Sequence, residues 1–190
     1  MGYILHRTFC STPGELELER QAFHEVVGQV NEAEGMSIGH LFVPVSIVPN
    51  MVNKLAFQPI IEANVQTCEF FVQVLRDTWG PLERNFECDY NVARRQQSEP
   101  DSPVVGVAVF FKTGEGFPVD PRIMQLRSSL ERQLDRGVYQ YVFDSLDDFK
   151  QKLREQLSSW ARMFENQSLG AASGDGEAPL LKPEARDGKI

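Results

Sequence analysis

The chain has 190 residues, of which 42% are hydrophobic and 24% charged, and its formal net charge is −8. This length and composition are typical of one soluble globular domain with a buried core. The acidic balance argues against broad nucleic-acid binding, which needs clustered positive charge, and against adhesion to anionic membranes. The acidic balance is still compatible with a small anionic ligand, because the first turn of a helix binds anions locally.

Cysteine usage and hydropathy indicate a cytoplasmic protein. Cys10, Cys68 and Cys88 are odd in number, widely spaced and without a CxxC pair, so we expect reduced thiols. No stretch is long and apolar enough to cross a bilayer. The first residues, MGYILHRTF, lack the basic start and long apolar run of a signal peptide and instead predict a first strand.

Residues 10–30 (CSTPGELELERQAFHEVVGQV) predict the end of a buried strand, a tight loop and an amphipathic helix. Thr12 is the predicted N-cap, with Pro13 at the first helical position and Glu15 completing a capping box. Five apolar residues then fall on one helical face, namely Leu16, Phe23, Val26, Val27 and Val30. We expect this helix to end at Gly35.

The rest of the chain alternates between apolar runs and amphipathic stretches. The runs predict strands at residues 3–9, 38–48, 68–75, 104–111 and 138–143. The amphipathic stretches predict helices at 53–66, 86–97, 122–136 and 145–164, the last capped by Ser145. Pro44 has no amide N–H, so we expect the second strand either to lie at a sheet edge or to be kinked.

Five strands alternating with helices predict an α/β fold with a mostly parallel five-stranded sheet and helices on both faces. We expect this single domain to span residues 1–165. From residue 166 onward small, polar and helix-breaking residues predominate, which predicts a disordered tail over 166–190. In open parallel sheets ligands bind outside the carboxyl ends of the strands, so the loops after the strands are the expected site.

Three features of these loops favour ligand contacts, and each has a structural alternative. Ser11 and Thr12 precede the first helix, where converging amides favour an anion, although capping alone also explains them. Asp77 and Trp79 follow the third strand, and Trp79 either stacks on a ligand ring or covers the sheet edge. Arg20 either faces a ligand at the first loop or forms a structural ion pair.

Two carboxylates, Glu87 and Asp89, begin the helix that follows the Trp79 loop. A carboxylate at this place can act as a general base or bind a ribose. The alternative is a solvated helix start, where acidic residues are favoured in any case. Asp89 and Glu87 are therefore the candidate catalytic residues.

Other site chemistries lack a sequence motif. No GxGxxG follows the first strand, and there is no P-loop. The three histidines, His6, His24 and His40, show no metal-ligand spacing. We therefore expect no cofactor and no metal. A catalytic Cys-His pair is an alternative that the sequence does not exclude, although no local sequence signature supports one.

Two stretches resemble a known family. The first is the opening, with Cys10, Ser11, Thr12, Glu15, Leu16, Glu19 and Arg20. The second is a strand and its loop, with Cys68, Glu69, Phe70, Phe71, Val72, Asp77, Trp79 and Gly80. They resemble the SST…DL…ER and CD-F…G-RYG patterns of a TIR-like domain of unknown function, typical of the N-termini of STAND (NACHT-type) NTPases. The resemblance covers roughly residues 3–164.

This resemblance implies a TIR-like or flavodoxin-like three-layer sandwich and a role in signalling, assembly or defence. Some TIR domains cleave NAD with a glutamate near the helix after the third strand. The chain departs from the family there, because the TE-YE run corresponds to Cys88, Asp89, Tyr90 and Asn91. A second departure replaces the family's WG after the second strand by Pro49 and Asn50.

The family opening, these departures and the lack of an attached NTPase lead us to expect a non-enzymatic, stand-alone TIR-like signalling or interaction domain. We expect it to be cytoplasmic and to bind a protein partner or itself. The alternative is a nucleotide- or NAD-processing hydrolase with Asp89 or Glu87 as its acid. A third reading is a nucleotide sensor that uses the same crevice without chemistry. We expect no nucleic-acid partner and no membrane partner.

Overall fold

The computed structural model describes residues 2–47, 57–76, 78–79, 86–114, 119–132 and 137–172. The strands are β1 (Ile4–Ser11), β2 (His40–Ser46), β3 (Phe70–Leu75), β4 (Gly106–Lys112) and β5 (Val138–Phe143). The helices are α1 (Glu17–Val30), α2 (Met36–Ile38), α3 (Phe57–Thr67), α4 (Phe86–Ser98), α5 (Pro121–Glu131) and α6 (Leu146–Ala172). A π-helical turn, Asn31–Gly35, joins α1 to α2.

All five strands are parallel, and their order in the sheet is β2-β1-β3-β4-β5. This confirms the predicted α/β sandwich, and the order is that of flavodoxin-like folds. Strand β2 is an edge strand, which is one of the two arrangements that Pro44 predicts. The strand order reverses at β1, which lies between β2 and β3. The crevice beside the carboxyl end of β1 is therefore where an open sheet of this kind binds ligands.

Helices cover both faces of the sheet. Alternate residues of each strand point to opposite faces, and every residue of β3 is buried. Phe70 and Val72 pack into one core layer with side chains of α1 and α6, which we call the α1/α6 layer. Phe71 and Leu75 pack into the other with side chains of α3, α4 and α5, which we call the α4 layer.

The predicted capping box at Thr12 is wrong. Helix α1 begins at Glu17 after Leu16, and no side chain caps it. Residues 13–16 instead form a turn in which the Leu16 amide donates to the Pro13 carbonyl at 3.0 Å. Both Pro13 and Leu16 are buried in this turn. Their burial outweighs the local preference of Thr12 for a helix start, since capping contributes only about 1 kcal/mol.

The predicted helix end at Gly35 is also wrong. The helical chain continues through the π-helical turn and α2, and it ends at Gly39, whose φ is +75°. Gly35 serves a different purpose, because a Cβ there would lie 2.5 Å from the carbonyl oxygen of His40. A glycine at this place allows the turn to pack against the start of β2.

Helix α6 is longer than predicted. Ser145 caps it as expected, with its hydroxyl accepting from the Asp148 amide at 3.3 Å. The helix then continues to Ala172, so the predicted start of a disordered tail at residue 166 is too early. Extending an existing helix is far easier than nucleating one, so polar residues continue it. Residues 173–190 lie outside the described ranges. None of the described helices has the length and apolarity needed to cross a membrane.

Candidate functional site

Buried charged side chains lie on each of the two faces of the sheet, near the carboxyl edge where the strands end. The last residue of β1, Ser11, faces the α4 layer, and the residue before it, Cys10, faces the α1/α6 layer. The predicted site residues consequently divide between the two faces of the sheet. Asp89 and Trp79 lie on the α4 side, whereas Arg20 lies on the α1 side with Glu19, which was not among the predicted site residues.

On the α4 side, the structure brings two predicted site residues together. The Ser11 hydroxyl donates a hydrogen bond to Asp89 Oδ2 over 2.6 Å. Asp89 is 0% exposed, and Ser11 is buried as well. Their bond ties helix α4 to the end of β1 from inside the core. Ser11, predicted to bind a ligand, and Asp89, predicted to be a catalytic residue, thus hydrogen-bond to each other.

The start of α4 is held by further buried polar contacts. The side-chain amide of Gln73, in the middle of β3, donates to the Phe86 carbonyl at 2.7 Å. The Phe86 amide donates to the Trp79 carbonyl at 3.2 Å. Trp79 itself is buried in the α4 layer, so it covers the sheet and offers no face for stacking on a ligand. This anchoring places Asp89, one turn into α4, opposite Ser11.

Two other predicted residues, Glu87 and Thr12, take no part in the Ser11–Asp89 hydrogen bond. Glu87 forms a surface ion pair with Arg122 of α5, whose Nη1 lies 3.3 Å from Glu87 Oε2. Thr12 is half-buried in the loop before α1 and does not cap that helix. Asp77 lies outside the described residues. Glu87 is therefore accessible, whereas Asp89 is not.

On the α1 side, an ion pair joins helix α1 to strand β4. Lys112 Nζ donates to Glu19 Oε1 at 2.6 Å. The Glu19 carboxylate is buried, whereas about a third of the Lys112 side chain is exposed. A buried carboxylate requires such a partner, because removal from water disfavours its charge. The Glu19 carboxylate is therefore paired with Lys112.

Arg20, the residue after Glu19, is buried, and the described residues give it no partner as close as Lys112 is to Glu19. It is 7% exposed, and its Nη1 makes no hydrogen bond. Its Nη2 lies 3.5 Å from Oε1 of Glu17, whose own side chain is exposed. The Arg20 charge acts on two neighbours. It opposes the burial that raises the pKa of the Cys10 thiol far above its ordinary value, and it adds to the burial that lowers the pKa of His24.

Sequence reasoning missed a histidine cluster at the opposite edge of the sheet. His6 Nδ1 lies 2.5 Å from Glu69 Oε2, and His6 Nε2 lies 2.8 Å from His40 Nδ1. The ring of Phe164 stacks on both imidazoles, with centroid distances of 3.9 and 4.8 Å. Burial, and next the proximity of His6, lowers the pKa of His40, while Glu69 opposes this. The pairing register of β1 and β2 creates the cluster, and no spacing in the sequence reveals it.

Within the described ranges, no group of three or more His, Cys, Asp or Glu side chains is arranged to hold a metal ion. The His6 cluster does not form one, since both ring nitrogens of His6 already face other side chains. The two His6 ring nitrogens that could bind a metal are therefore already hydrogen-bonded within the protein.

Comparison with known proteins gives a likeness of fold. No family model matches the chain, and no curated protein matches it. The flavodiiron core of Flv1 from Synechocystis, solved after metal soaking, is 11% identical with a TM-score of 0.42, covering 87% of this chain and 37% of that one. General stress protein 14 of Treponema denticola, solved with FMN, is 10% identical with a TM-score of 0.39, covering 84% and 99%. Likenesses of this size carry no information on ligand or activity.

Proposed function

We propose that this chain is a cytoplasmic TIR-like module that acts in signalling, in a defence context, by associating with itself or with a protein partner and without catalysis of its own. The burial of Asp89 is the observation that supports this best. A general acid or base must come within hydrogen-bond distance of its substrate. Asp89, 0% exposed and bonded to Ser11, instead joins two elements of the core.

The amino end of β1 supports an association surface. Three consecutive apolar residues are exposed there: Tyr3 by 53%, Ile4 by 56% and Leu5 by 58%. Ile4 pairs with His40 and Leu5 with Leu41, so this run lies beside the start of the edge strand β2. Contiguous exposed apolar side chains mark interaction sites, and an edge strand offers unpaired backbone groups. We call the run Tyr3–Leu5 the N-terminal apolar run.

Light scattering across a concentration series tests this proposal. We expect the mean mass of the wild-type chain to rise with concentration, because burial of the apolar run drives association. The double variant Ile4→Glu and Leu5→Glu should remain a monomer over the same range. Leu18→Glu is the matched control, since Leu18 is 62% exposed on α1, away from the run, and should associate like wild type.

Two results would count against the proposal. One is a wild-type chain that stays monomeric at the highest concentration and captures no partner. The other is turnover of NAD, ATP or GTP, which would favour the alternative of a nucleotide- or NAD-processing hydrolase. The exposed Glu87 would then be the nearer candidate for its acid, because it reaches the surface and Asp89 does not.

A further inference from the structure

Arg20 is a buried cation for which the described residues provide no close acceptor. Its Nη1 is enclosed and makes no hydrogen bond. In the part of the chain that the structure describes, its ion-pair partner is Glu17, at 3.5 Å from Nη2 and on the surface. Leaving a buried charged N–H unsatisfied costs free energy, so folded proteins nearly always supply an acceptor from the chain, from water or from a ligand.

The neighbouring acceptors are already engaged. The adjacent carboxylate of Glu19 receives Lys112 at 2.6 Å. Ser11, at the end of β1, directs its hydroxyl to Asp89 on the other face of the sheet. Neither of these side chains accepts a hydrogen bond from Arg20 Nη1.

The position of Arg20 favours a ligand as that acceptor. Arg20 is buried on α1, and its charge is near enough to influence Cys10 of β1 and His24 one turn further along α1, so it lies near the carboxyl end of β1. That end of β1 is the point at which the strand order reverses. Open parallel sheets bind their ligands at such a reversal.

We infer that Arg20 anchors a binding site for a compact oxyanion of low charge, either a carboxylate or a phosphate group, at the carboxyl end of β1. A guanidinium binds both kinds of oxyanion through paired N–H groups. The acids Glu17 and Glu19 balance the bases Arg20 and Lys112 here, so the surroundings do not attract a highly charged anion. The inference rests on Arg20 alone and does not depend on the proposed function.

This site differs from the anion site that the sequence predicts at Ser11 and Thr12. The predicted site relied on the first amides of a helix beginning directly after those residues. Helix α1 begins later, and its first turn carries the acidic residues Glu17 and Glu19, which repel an anion. Arg20 replaces the helix amides as the group that attracts the ligand.

Thermal unfolding of the full chain tests the site with three probes: inorganic phosphate, acetate and adenosine monophosphate, each at the same ionic strength. A ligand at ten times its Kd should raise the ratio of folded to unfolded protein about elevenfold. We expect this stabilisation to disappear in Arg20→Met and to persist in Arg162→Met, which removes an exposed arginine of α6. A larger effect of adenosine monophosphate than of phosphate would assign the site to a nucleotide, and equal effects would assign it to the free oxyanion.

The titration of His24, followed by NMR, gives a second readout that needs only the wild-type protein. Arg20 helps to lower the pKa of His24, and an anion bound beside Arg20 offsets that influence. The pKa of His24 should therefore rise in phosphate or acetate relative to chloride. An unchanged titration together with no stabilisation by any probe would overturn the inference. Responses that persist in Arg20→Met would overturn it too.

Discussion

Asp89 and Arg20 are two buried charged residues at the same edge of one sheet, yet their hydrogen bonding differs. Asp89, on the α4 face, accepts a hydrogen bond from Ser11 over 2.6 Å. Arg20, on the α1 face, is also buried, but among the residues that the structure describes its Nη1 has no hydrogen-bond partner. Burial of a charged group is therefore no sign of a binding site by itself. What distinguishes the two is whether the described part of the chain supplies a hydrogen-bond partner.

The largest expected effect is the loss of stability when Asp89 is removed. Asp89→Leu should destabilise the fold by about 3 kcal/mol, because it leaves the buried Ser11 hydroxyl without this acceptor and removes a hydrogen bond to a carboxyl group. Urea denaturation measures the change. Glu87→Leu is the control on the same helix, and it should change stability by less than about 0.5 kcal/mol, because its ion pair with Arg122 is exposed. Equal losses in both variants would contradict the structural role of Asp89.

The next effect concerns the Glu19–Lys112 ion pair, whose two partners differ in exposure. Lys112→Met should cost about 2 kcal/mol, because it leaves the buried Glu19 carboxylate uncompensated. Glu19→Gln should cost less, about 1 kcal/mol, because the partly exposed Lys112 regains water. Urea midpoints of the two variants give the comparison. If Glu19→Gln proved the more damaging change, Lys112 would not be the main partner of that carboxylate.

Arg20→Met should have a small effect of the opposite sign. In buffer free of oxyanions we expect unchanged stability or a gain of up to about 1 kcal/mol, because an apolar chain of similar length replaces a poorly paired buried cation. Denaturation in chloride alone is the appropriate measurement. A loss as large as that of Asp89→Leu would show that Arg20 has a structural partner in the folded chain and would remove the contrast between the two residues.

The smallest effect is a dependence of stability on pH. The pKa values of His24 and His40 are lowered from 6.5, mainly by burial. The folded chain therefore binds fewer protons at these groups than the unfolded chain, so their contribution is fully present above pH 6.5 and is lost as the pH falls through their folded pKa values. Urea midpoints at about pH 7.5 and 5.5 should show this decline. Stability that increased over that interval would contradict both shifts.

The fold could be predicted because its signals are local. Strand β5 has the predicted bounds, and the fully buried β3 appears in the sequence as an almost continuous apolar run. The helix start predicted at Thr12 and the helix end predicted at Gly35 were wrong because tertiary contacts decide the roles of these two residues. Burial of Leu16 delays the start of α1, and the approach of the His40 carbonyl explains the glycine at 35.

The candidate site could be predicted only in part. Ser11, Arg20 and Asp89 were each identified from the sequence, but their pairing depends on which face of the sheet each side chain meets. Ser11 and Asp89 lie 78 positions apart in the chain, and only the assembled sheet brings them into contact. The unsatisfied Nη1 of Arg20 likewise has no signal in the sequence, because it depends on Glu19 being engaged by Lys112.

Nucleotide turnover tests most directly whether Asp89 is a structural residue in a non-catalytic module. Wild type and Asp89→Asn are incubated at high concentration with NAD, ATP and GTP, and the products are separated by chromatography. We predict no product from either protein and a lower urea midpoint for Asp89→Asn, since the amide accepts the Ser11 hydroxyl more weakly than a carboxylate does. Product formed by wild type and lost in a fully folded Asp89→Asn would contradict the account and make Asp89 a catalytic residue.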